Sequence, residues 1–195
     1  GTMEKLGLGY DELKSINPGL IYASCSGYGH SGPWSQKPAY DIIIQATGGI
    51  MSITGQEGGE PTRVGASIGD ITAGLFTAIG ILEALYYREK TGEGQKVDVA
   101  MMDCQVAILE NAIAQYFASG KSPVPIGNRH PTITPFEAFA TKTNHIVIAA
   151  GNDSLWEKLC RAIGREQLIN DPRFATNYDR TKNHSELKPL LQEAF

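Results

Sequence analysis

Apolar residues along the chain follow two different spacings, and their alternation predicts the fold class. Residues 20–24, 97–100 and 145–150 are short apolar runs rich in β-branched side chains, which is typical of buried strands. Longer segments between and after them carry apolar residues at helical spacing. Strands that alternate with helices indicate an α/β protein.

The clearest helical pattern follows a glycine-rich stretch and ends in a charged last turn and Gly92. The run 71–87 approaches membrane-spanning length, but Glu83 and two threonines interrupt it, so we expect a buried helix and no membrane association. Further helices are predicted at 101–118, which has few charges and should be largely buried, at 153–163 and at 185–195. The apolar positions of the clearest pattern are Ile71, Leu75, Ile79, Leu82 and Tyr86.

A proline-containing loop over 120–135 separates the two parts of this pattern, and we place a domain boundary near residue 140. Residues 1–140 then form one domain and residues 141–195 the beginning of a second. A segment of about 50 residues is near the lower limit for independent folding, so the second domain should be truncated or completed by another chain.

Composition narrows the class of partner. The 195 residues are 42% hydrophobic and 19% charged, with a net charge of −4, so no disordered tract, nucleic-acid stripe or polybasic membrane patch is predicted. Cys25, Cys104 and Cys160 are odd in number and widely spaced, which favours a reducing, cytoplasmic setting. His145 and His184 have no ligand at metal-site spacing, so no metal is expected.

Residues 27–32 match the GxGxxG pattern of dinucleotide-binding proteins directly after a predicted strand. In those proteins a helix opens at the third glycine and its N-terminus binds the pyrophosphate. Here Pro33, Trp34 and Pro38 follow, which break up such a helix. A plain glycine loop is therefore the better interpretation.

Asp70 is the strongest candidate for chemistry, because it lies between a glycine-rich loop and the clearest helix. An aspartate at a helix start is usually an N-cap. The same helix dipole also stabilises an ionised carboxylate that can act as a nucleophile, and Gly69 and Gly74 would leave room for a thioester while Thr72 hydrogen-bonds the site. Spacing alone leaves both roles open.

Five ordered motifs resemble the class III CoA-transferases, also called the CaiB/BaiF family. They are Tyr40-Asp41, the glycines at 48 and 49, Gly-Asp-x-x-x-Gly at 69–74, KTGEGQKVDV at 90–99 and GNRHP at 127–131. The resemblance covers essentially the whole chain. It implies part of a Rossmann-like large domain followed by the start of a small α+β domain, from a family of interlocked homodimers.

In that family, the aspartate matching Asp70 attacks an acyl-CoA thioester. The resemblance implies an aspartyl anhydride, then an aspartyl-CoA thioester that releases the donor acid, then return of CoA to an acceptor acid. The same fold carries α-methylacyl-CoA racemases, which use a second base, a histidine at the position of Tyr40. A tyrosine with a pKa near ~10 is a poor base at neutral pH, which favours the transferase.

The resemblance also suggests binding residues. Lys5 and Lys37 lie where, or near where, family members contact the CoA nucleotide, and Tyr40 near its thiol end, although Tyr40 could equally be a core aromatic. Asn128, Arg129 and His130 match a loop that is glycine-rich in formyl-CoA transferases, so a formyl or oxalate substrate is disfavoured. Arg129 and His130 become candidates to receive a substrate carboxylate, with succinyl-CoA as a possible donor, although His130 could equally make only a His-Pro turn.

A second hypothesis belongs to a different class. A chain that holds only part of the CoA pocket could be a non-catalytic fragment or homologue that serves in binding or assembly.

Overall fold

A computed structural model describes residues 2–195 and divides them into two compact units. Unit 1 comprises residues up to Gly55 together with Glu60–Pro125, and unit 2 comprises Gln56–Gly59 and Ile126–Phe195. The division falls before the boundary predicted near residue 140. The reason is that the strand ending at Ala140 pairs with the strand beginning at His145, so both belong to unit 2. The assignment of 1–140 and 141–195 to a large and a small domain stays a prediction.

Unit 1 is built around two parallel strands with helices between and after them. Strands β1 and β2 pair in parallel from Tyr22↔Lys96 to Ser26↔Ala100, so the chain between them is a crossover connection. The elements of unit 1 are α1 (Thr2–Lys5), α2 (Tyr10–Ile16), β1 (Tyr22–Ser26), α3 (Asp41–Thr47), α4 (Ile50–Ile53), α5 (Ile68–Thr91), β2 (Lys96–Ala100), α6 (Met101–Ala107) and α7 (Asn111–Ser119).

The core of unit 1 forms where α3, α5 and α6 meet. Ile44, Ala73, Met101 and Cys104 are its buried members, and Val99 packs against them. The loop after β1 contains no helix before Asp41, which confirms that the GxGxxG match lacks the helix that a dinucleotide site requires.

Helix α5 differs from the prediction of a buried helix. Its five large apolar positions at helical spacing are 49–68% exposed. The helix packs instead through small residues, among them Gly69, Ala73, Gly80 and Ala84, with Gly80 close against Val97 of β2. The predicted apolar face is real, but in this chain it faces outward.

By length and composition α5 could also cross a membrane, since its 24 residues include a window of mean hydropathy 1.6. Only 22% of that window is buried. Core helices of water-soluble proteins satisfy the same criteria, so this finding does not by itself indicate a membrane.

The helix predicted at 101–118 is two helices. Residues 108–110 interrupt it, and Glu110 adopts a left-handed φ of 41°. No glycine or proline marks this break in the sequence. Helix α7 has no buried residue, so the prediction of a largely buried segment is wrong for its second half.

Unit 2 is an antiparallel hairpin with helices packed on it. The hairpin pairs from Phe136↔Ala149 to Ala140↔His145. Its core contains Phe139, Trp156, Phe174, Leu187 and Leu191. The elements are β3 (Phe136–Ala140), β4 (His145–Ala149), α8 (Asp153–Ala162), a 3₁₀ turn (Glu166–Leu168), α9 (Asn177–Lys182) and α10 (His184–Gln192).

Candidate active site

Asp70 is the third residue of α5, within the first turn and exposed to solvent. The N-cap residue is Ser67, so Asp70 itself does not occupy the cap position. Within residues 2–195 its carboxylate takes part in no hydrogen bond or ion pair. The carboxylate therefore sits at the positive end of a long helix with its lone pairs unused by the protein.

Asp41 performs the capping instead. Its Oδ1 accepts a hydrogen bond from the Gly69 N–H at 2.9 Å, which satisfies one of the free N–H groups at the start of α5. The two residues are 28 positions apart, so α3 caps α5 from outside. Because of this contact, a Cβ on Gly69 would lie 3.1 Å from Asp41 Oδ1 and 3.3 Å from Ile44 Cγ2.

The two glycines beside Asp70 therefore have different roles. Gly69 is buried against α3 and leaves no room for a ligand, contrary to the prediction. Gly74 has no heavy atom within 4 Å of a built Cβ, so space is open there. Thr72 is buried and its hydroxyl donates to the Ile68 carbonyl at 2.7 Å, so it stabilises the first turn rather than contacting a ligand.

Gln45 fixes the loop that precedes Asp70. This side chain is fully buried; its Oε1 accepts from the Val64 N–H at 2.8 Å and its Nε2 donates to Asp41 Oδ2 at 2.8 Å. Gln45 Nε2 also donates to the Ala66 carbonyl at 3.3 Å. The Arg63 guanidinium forms an ion pair with Asp41, with Nη2 3.9 Å from Oδ2. Two side chains of α3 thus hold the loop and the first turn of α5.

Tyr40 immediately precedes Asp41 as the N-cap residue of α3. Its side chain is 79% exposed, so the alternative of a core aromatic is wrong for this chain. Tyr40 is adjacent in sequence to Asp41, and the Asp41 side chain contacts Gly69 in the first turn of α5. Tyr40 and Asp70 are therefore held on neighbouring helix starts.

Lys37 and Lys5 are not joined to Asp70 by any hydrogen bond or ion pair in the described part of the chain. Lys37 Nζ lies 4.2 Å from the centroid of the Trp34 ring, a cation–π contact, and Trp34 meets Tyr28 edge-on. Lys5 is exposed at the end of α1. Both lysines keep a solvent-accessible position that a phosphate could reach.

The loop at 128–130 lies in unit 2. Asn128 is exposed. His130 is committed to its own turn: its Nδ1 accepts from the Thr132 N–H at 3.2 Å, and its ring lies 5.4 Å from that of Phe136. Arg129 is different, because its Nε is buried and no residue from 2 to 195 accepts a hydrogen bond from it.

Unit 2 also contains a charged cluster that the sequence did not indicate. Glu137 of β3 is 2% exposed, and it meets His184 Nε2 at 2.6 Å and Lys188 Nζ at 2.8 Å, both from α10. Burial acts to raise the pKa of Glu137, but the hydrogen bond with His184 and the ion pair with Lys188 outweigh it and hold that pKa below its usual range. Among residues 2–195, no group of three or more side chains is arranged to hold a metal.

Comparison with known proteins assigns the chain to a family. The model for CoA-transferase family III matches residues 1–195. Acetyl-CoA:oxalate CoA-transferase of Acetobacter aceti is 49% identical over all of this chain and 50% of its own length, and succinyl-CoA:mesaconate CoA-transferase of Haloarcula marismortui is 46% identical over 99% and 49%.

The fold of the chain matches that of a solved structure from the same family. A CaiB/BaiF family protein from Brucella suis matches with a TM-score of 0.83 and 44% identity, over 100% of this chain and 51% of that one. The chain thus spans about half the length of the relatives it matches. This chain belongs to CoA-transferase family III, the CaiB/BaiF family.

Proposed function

We propose that the chain carries the nucleophile of a CoA-transferase and that Asp70 is this nucleophile. The Asp70 carboxylate attacks the carbonyl of an acyl-CoA, the C–S bond breaks, and an aspartyl anhydride and CoA thiolate form. The thiolate then attacks the aspartyl carbonyl, which releases the donor acid and leaves an aspartyl-CoA thioester. The acceptor carboxylate attacks this thioester, the C–S bond breaks, and a second anhydride and CoA thiolate form. The thiolate then attacks the acceptor carbonyl of this anhydride, which gives the acceptor acyl-CoA and restores the Asp70 carboxylate.

The observation that carries the proposal is the unoccupied carboxylate of Asp70. The carboxylate of a capping aspartate accepts hydrogen bonds from backbone N–H groups at the helix start. Here Asp41 accepts such a bond from the Gly69 N–H. The carboxylate lies exposed in the first turn of α5, where a substrate can reach it. The open space beside Gly74 supports access for a thioester.

Transfer is favoured over racemisation at the same aspartate. A racemase needs a second base near Asp70, and the residue on the neighbouring helix start is Tyr40. A phenol is a poorer base at neutral pH than the histidine that racemases use. Racemase activity would release α-deuterium from a labelled 2-methylacyl-CoA with no acceptor acid present. We expect no such release.

The proposed substrates are an acyl-CoA donor and a carboxylic acid acceptor, with CoA contacted by Lys5, Lys37 and Tyr40. The relatives' names support small dicarboxylates, since they include succinyl-CoA:mesaconate and acetyl-CoA:oxalate transferases. The 49% identity to the oxalate enzyme weighs against the prediction, made from the loop at 128–130 of this chain, that an oxalate substrate is disfavoured. Asn128 and Arg129 remain the proposed contacts for an acid.

The acceptor can be identified by one screen. The 195-residue chain is incubated with succinyl-CoA, then with acetyl-CoA, against oxalate, mesaconate, glutarate and a monocarboxylate, and the new CoA thioester is identified by mass. We expect transfer to a dicarboxylate and little to the monocarboxylate.

We further propose a homodimer in the cytoplasm. The exposed apolar face of α5 supports assembly with further protein, and three free cysteines suit a reducing compartment. The competing hypothesis is a fragment or homologue that acts only in binding or assembly. It is supported by the finding that the chain covers only half of the relative's length.

One pair of variants tests the catalytic proposal. Asp70→Asn removes the nucleophile but keeps the shape of the side chain, and Asp103→Asn is the matched control, since Asp103 is likewise the exposed third residue of a helix, α6. We expect Asp70→Asn to abolish CoA exchange and Asp103→Asn to retain it. Full exchange in Asp70→Asn would rule out the nucleophile. Exchange absent from the parent chain as well would favour the binding role.

A further inference from the structure

Unit 2 contains a cavity of about 590 Å³ that the sequence pattern did not indicate. It is lined by the loop residues Glu57 and Arg129 and by polar residues at the end of α9 and the start of α10. These are Thr181, Lys182, His184, Ser185 and Lys188. All of the lining belongs to unit 2, so the cavity is formed within one compact unit.

The charges around this basic cavity do not cancel. Lys188 is neutralised by Glu137, which lies behind it at 2.8 Å. Arg129 and Lys182 take part in no ion pair among residues 2–195, and Glu57 is the one carboxylate of the lining. Apart from the Lys188–Glu137 pair, the lining therefore carries two cations, Arg129 and Lys182, and one anion, Glu57. This balance favours an anionic occupant.

Arg129 supplies an independent observation. Its Nε is buried and donates to no acceptor in the described chain, although a buried guanidinium N–H without a partner is costly. Other buried arginine atoms in this unit are satisfied: Arg180 is fully buried and donates to the Thr134 and Phe174 carbonyls and to Asp153. The Arg129 side chain also lines the cavity, which is large enough for a small molecule.

We infer that this cavity is a binding site for an oxyanion, a carboxylate or phosphate group, held between Arg129 and Lys182 with the Ser185 hydroxyl as a further donor. Arg129 can pair two of its N–H groups with two oxygens of such a group, and Lys182 adds a point charge. Where the anion is the acceptor acid, the inference rests on the proposed function; anion binding itself does not, because it needs no covalent step.

Isothermal titration of the 195-residue chain tests the site, with inorganic phosphate and succinate as the two ligands and uncharged succinamide as the negative control. The titrations contain no acyl-CoA, so no covalent step at Asp70 contributes heat. We expect saturable binding of at least one anion and none of succinamide. Succinate binding identifies an acid site, and binding of phosphate alone identifies a phosphate-group site.

Three variants locate the binding. Arg129→Gln and Lys182→Gln should each weaken the anion affinity by about tenfold to a hundredfold, as expected for loss of a charged hydrogen bond. Lys158→Gln is the control, because Lys158 is an exposed lysine of α8 outside the cavity. Thermal melts establish that each variant is folded. The proposal is overturned if neither anion binds, or if both cavity variants bind as tightly as the control.

These outcomes are separable from a failure of the proposed function. Loss of exchange in Asp70→Asn with intact anion binding supports both. Intact exchange in Asp70→Asn with anion binding lost in Arg129→Gln contradicts the nucleophile and retains the cavity.

Discussion

Asp41 and Asp70 both stand at helix starts, and they divide two tasks between them. The Asp41 carboxylate accepts hydrogen bonds from the Gly69 N–H and from Gln45 Nε2, and it is mostly buried. Asp70, one residue after Gly69, is left exposed and unpaired. A carboxylate can be both near a helix N-terminus and chemically available only if another group satisfies the free N–H groups there.

At this scale the sequence indicated Asp70 as the candidate nucleophile, which stays a prediction, but it did not indicate the residues that support the first turn of α5. Asp70 was identified from its position after a glycine loop, and the choice between cap and nucleophile stayed open because the capping group lies 28 positions away. Gln45 was missed altogether. The sequence does carry an indication of this role, because Asp41 and Gln45 are polar residues at i, i+4 in a mainly apolar segment, a spacing that places both on one helix face.

Gln45 gives a stability prediction. Gln45→Ala leaves the Val64 N–H and one oxygen of Asp41 without their partner inside the protein, so we expect a loss of about 1–3 kcal/mol in the free energy of unfolding and weaker CoA exchange. Urea denaturation and an exchange assay measure the two effects. Gln36→Ala is the control, since Gln36 is exposed in a loop. Equal stability of the two variants would contradict the role given to Gln45.

Helix α5 shows how an element can satisfy a sequence pattern and still differ from its interpretation. Its large apolar side chains recur at helical spacing, as predicted, but they are exposed, and the face that packs on β2 is made of small residues. Small residues carry little hydrophobic signal, so the pattern alone indicated the wrong face. Close approach of backbones requires them nonetheless.

Two glycines of α5 test this account. A Cβ on Gly80 would lie 2.8 Å from Val97 Cγ1, so we expect Gly80→Val to cost about 1–3 kcal/mol of unfolding free energy through overpacking. A Cβ on Gly74 meets nothing within 4 Å, so Gly74→Ala should stabilise the helix by about 0.5–1 kcal/mol. Thermal or urea unfolding distinguishes the two, and the opposite order would contradict the packing described.

The contact between β3 and α10 predicts a dependence on pH. The pKa of Glu137 is lowered in the folded chain, so its contribution to stability is present above the unfolded pKa of about 4.3 and is lost as the pH falls through the lower folded value. We expect unit 2 to lose stability as the pH falls below that range. Glu137→Gln should reduce this loss, and Glu166→Gln, an exposed control, should not. Unfolding curves between pH 3 and 7 measure the difference.

Strands were more predictable than long helices. The strands at 97–100 and 145–150 are confirmed within one residue at either end, whereas the helix at 101–118 is interrupted at Glu110. The positive φ of Glu110 depends on the tertiary structure, and no glycine or proline nearby in the sequence indicates it. Strand β3 was missed because it follows directly on a proline-containing loop.

At the scale of the whole molecule, the chain spans about half the length of its relatives, and a broad apolar face of α5 is uncovered in it. Surfaces of this kind bind further protein. Ile71, Leu75 and Leu82 are 50–64% exposed along this face.

Self-association through this face is testable by light scattering after gel filtration. We expect the chain to run as a dimer, and the double variant Leu75→Gln/Leu82→Gln to run as a monomer with its fold retained, because neither side chain is buried in unit 1. Val147→Gln, at a 70% exposed position of β4, should leave the mass unchanged. A parent chain of monomer mass would contradict dimerisation through α5.

The covalent role of Asp70 is tested most directly by trapping. The chain is incubated with an acyl-CoA substrate and hydroxylamine, digested, and its peptides are analysed by mass spectrometry. Our account predicts a hydroxamate on Asp70 and none on Asp103, because only an activated aspartyl carbonyl reacts with hydroxylamine. A hydroxamate on another carboxylate, or exchange activity with no hydroxamate on Asp70, would contradict it.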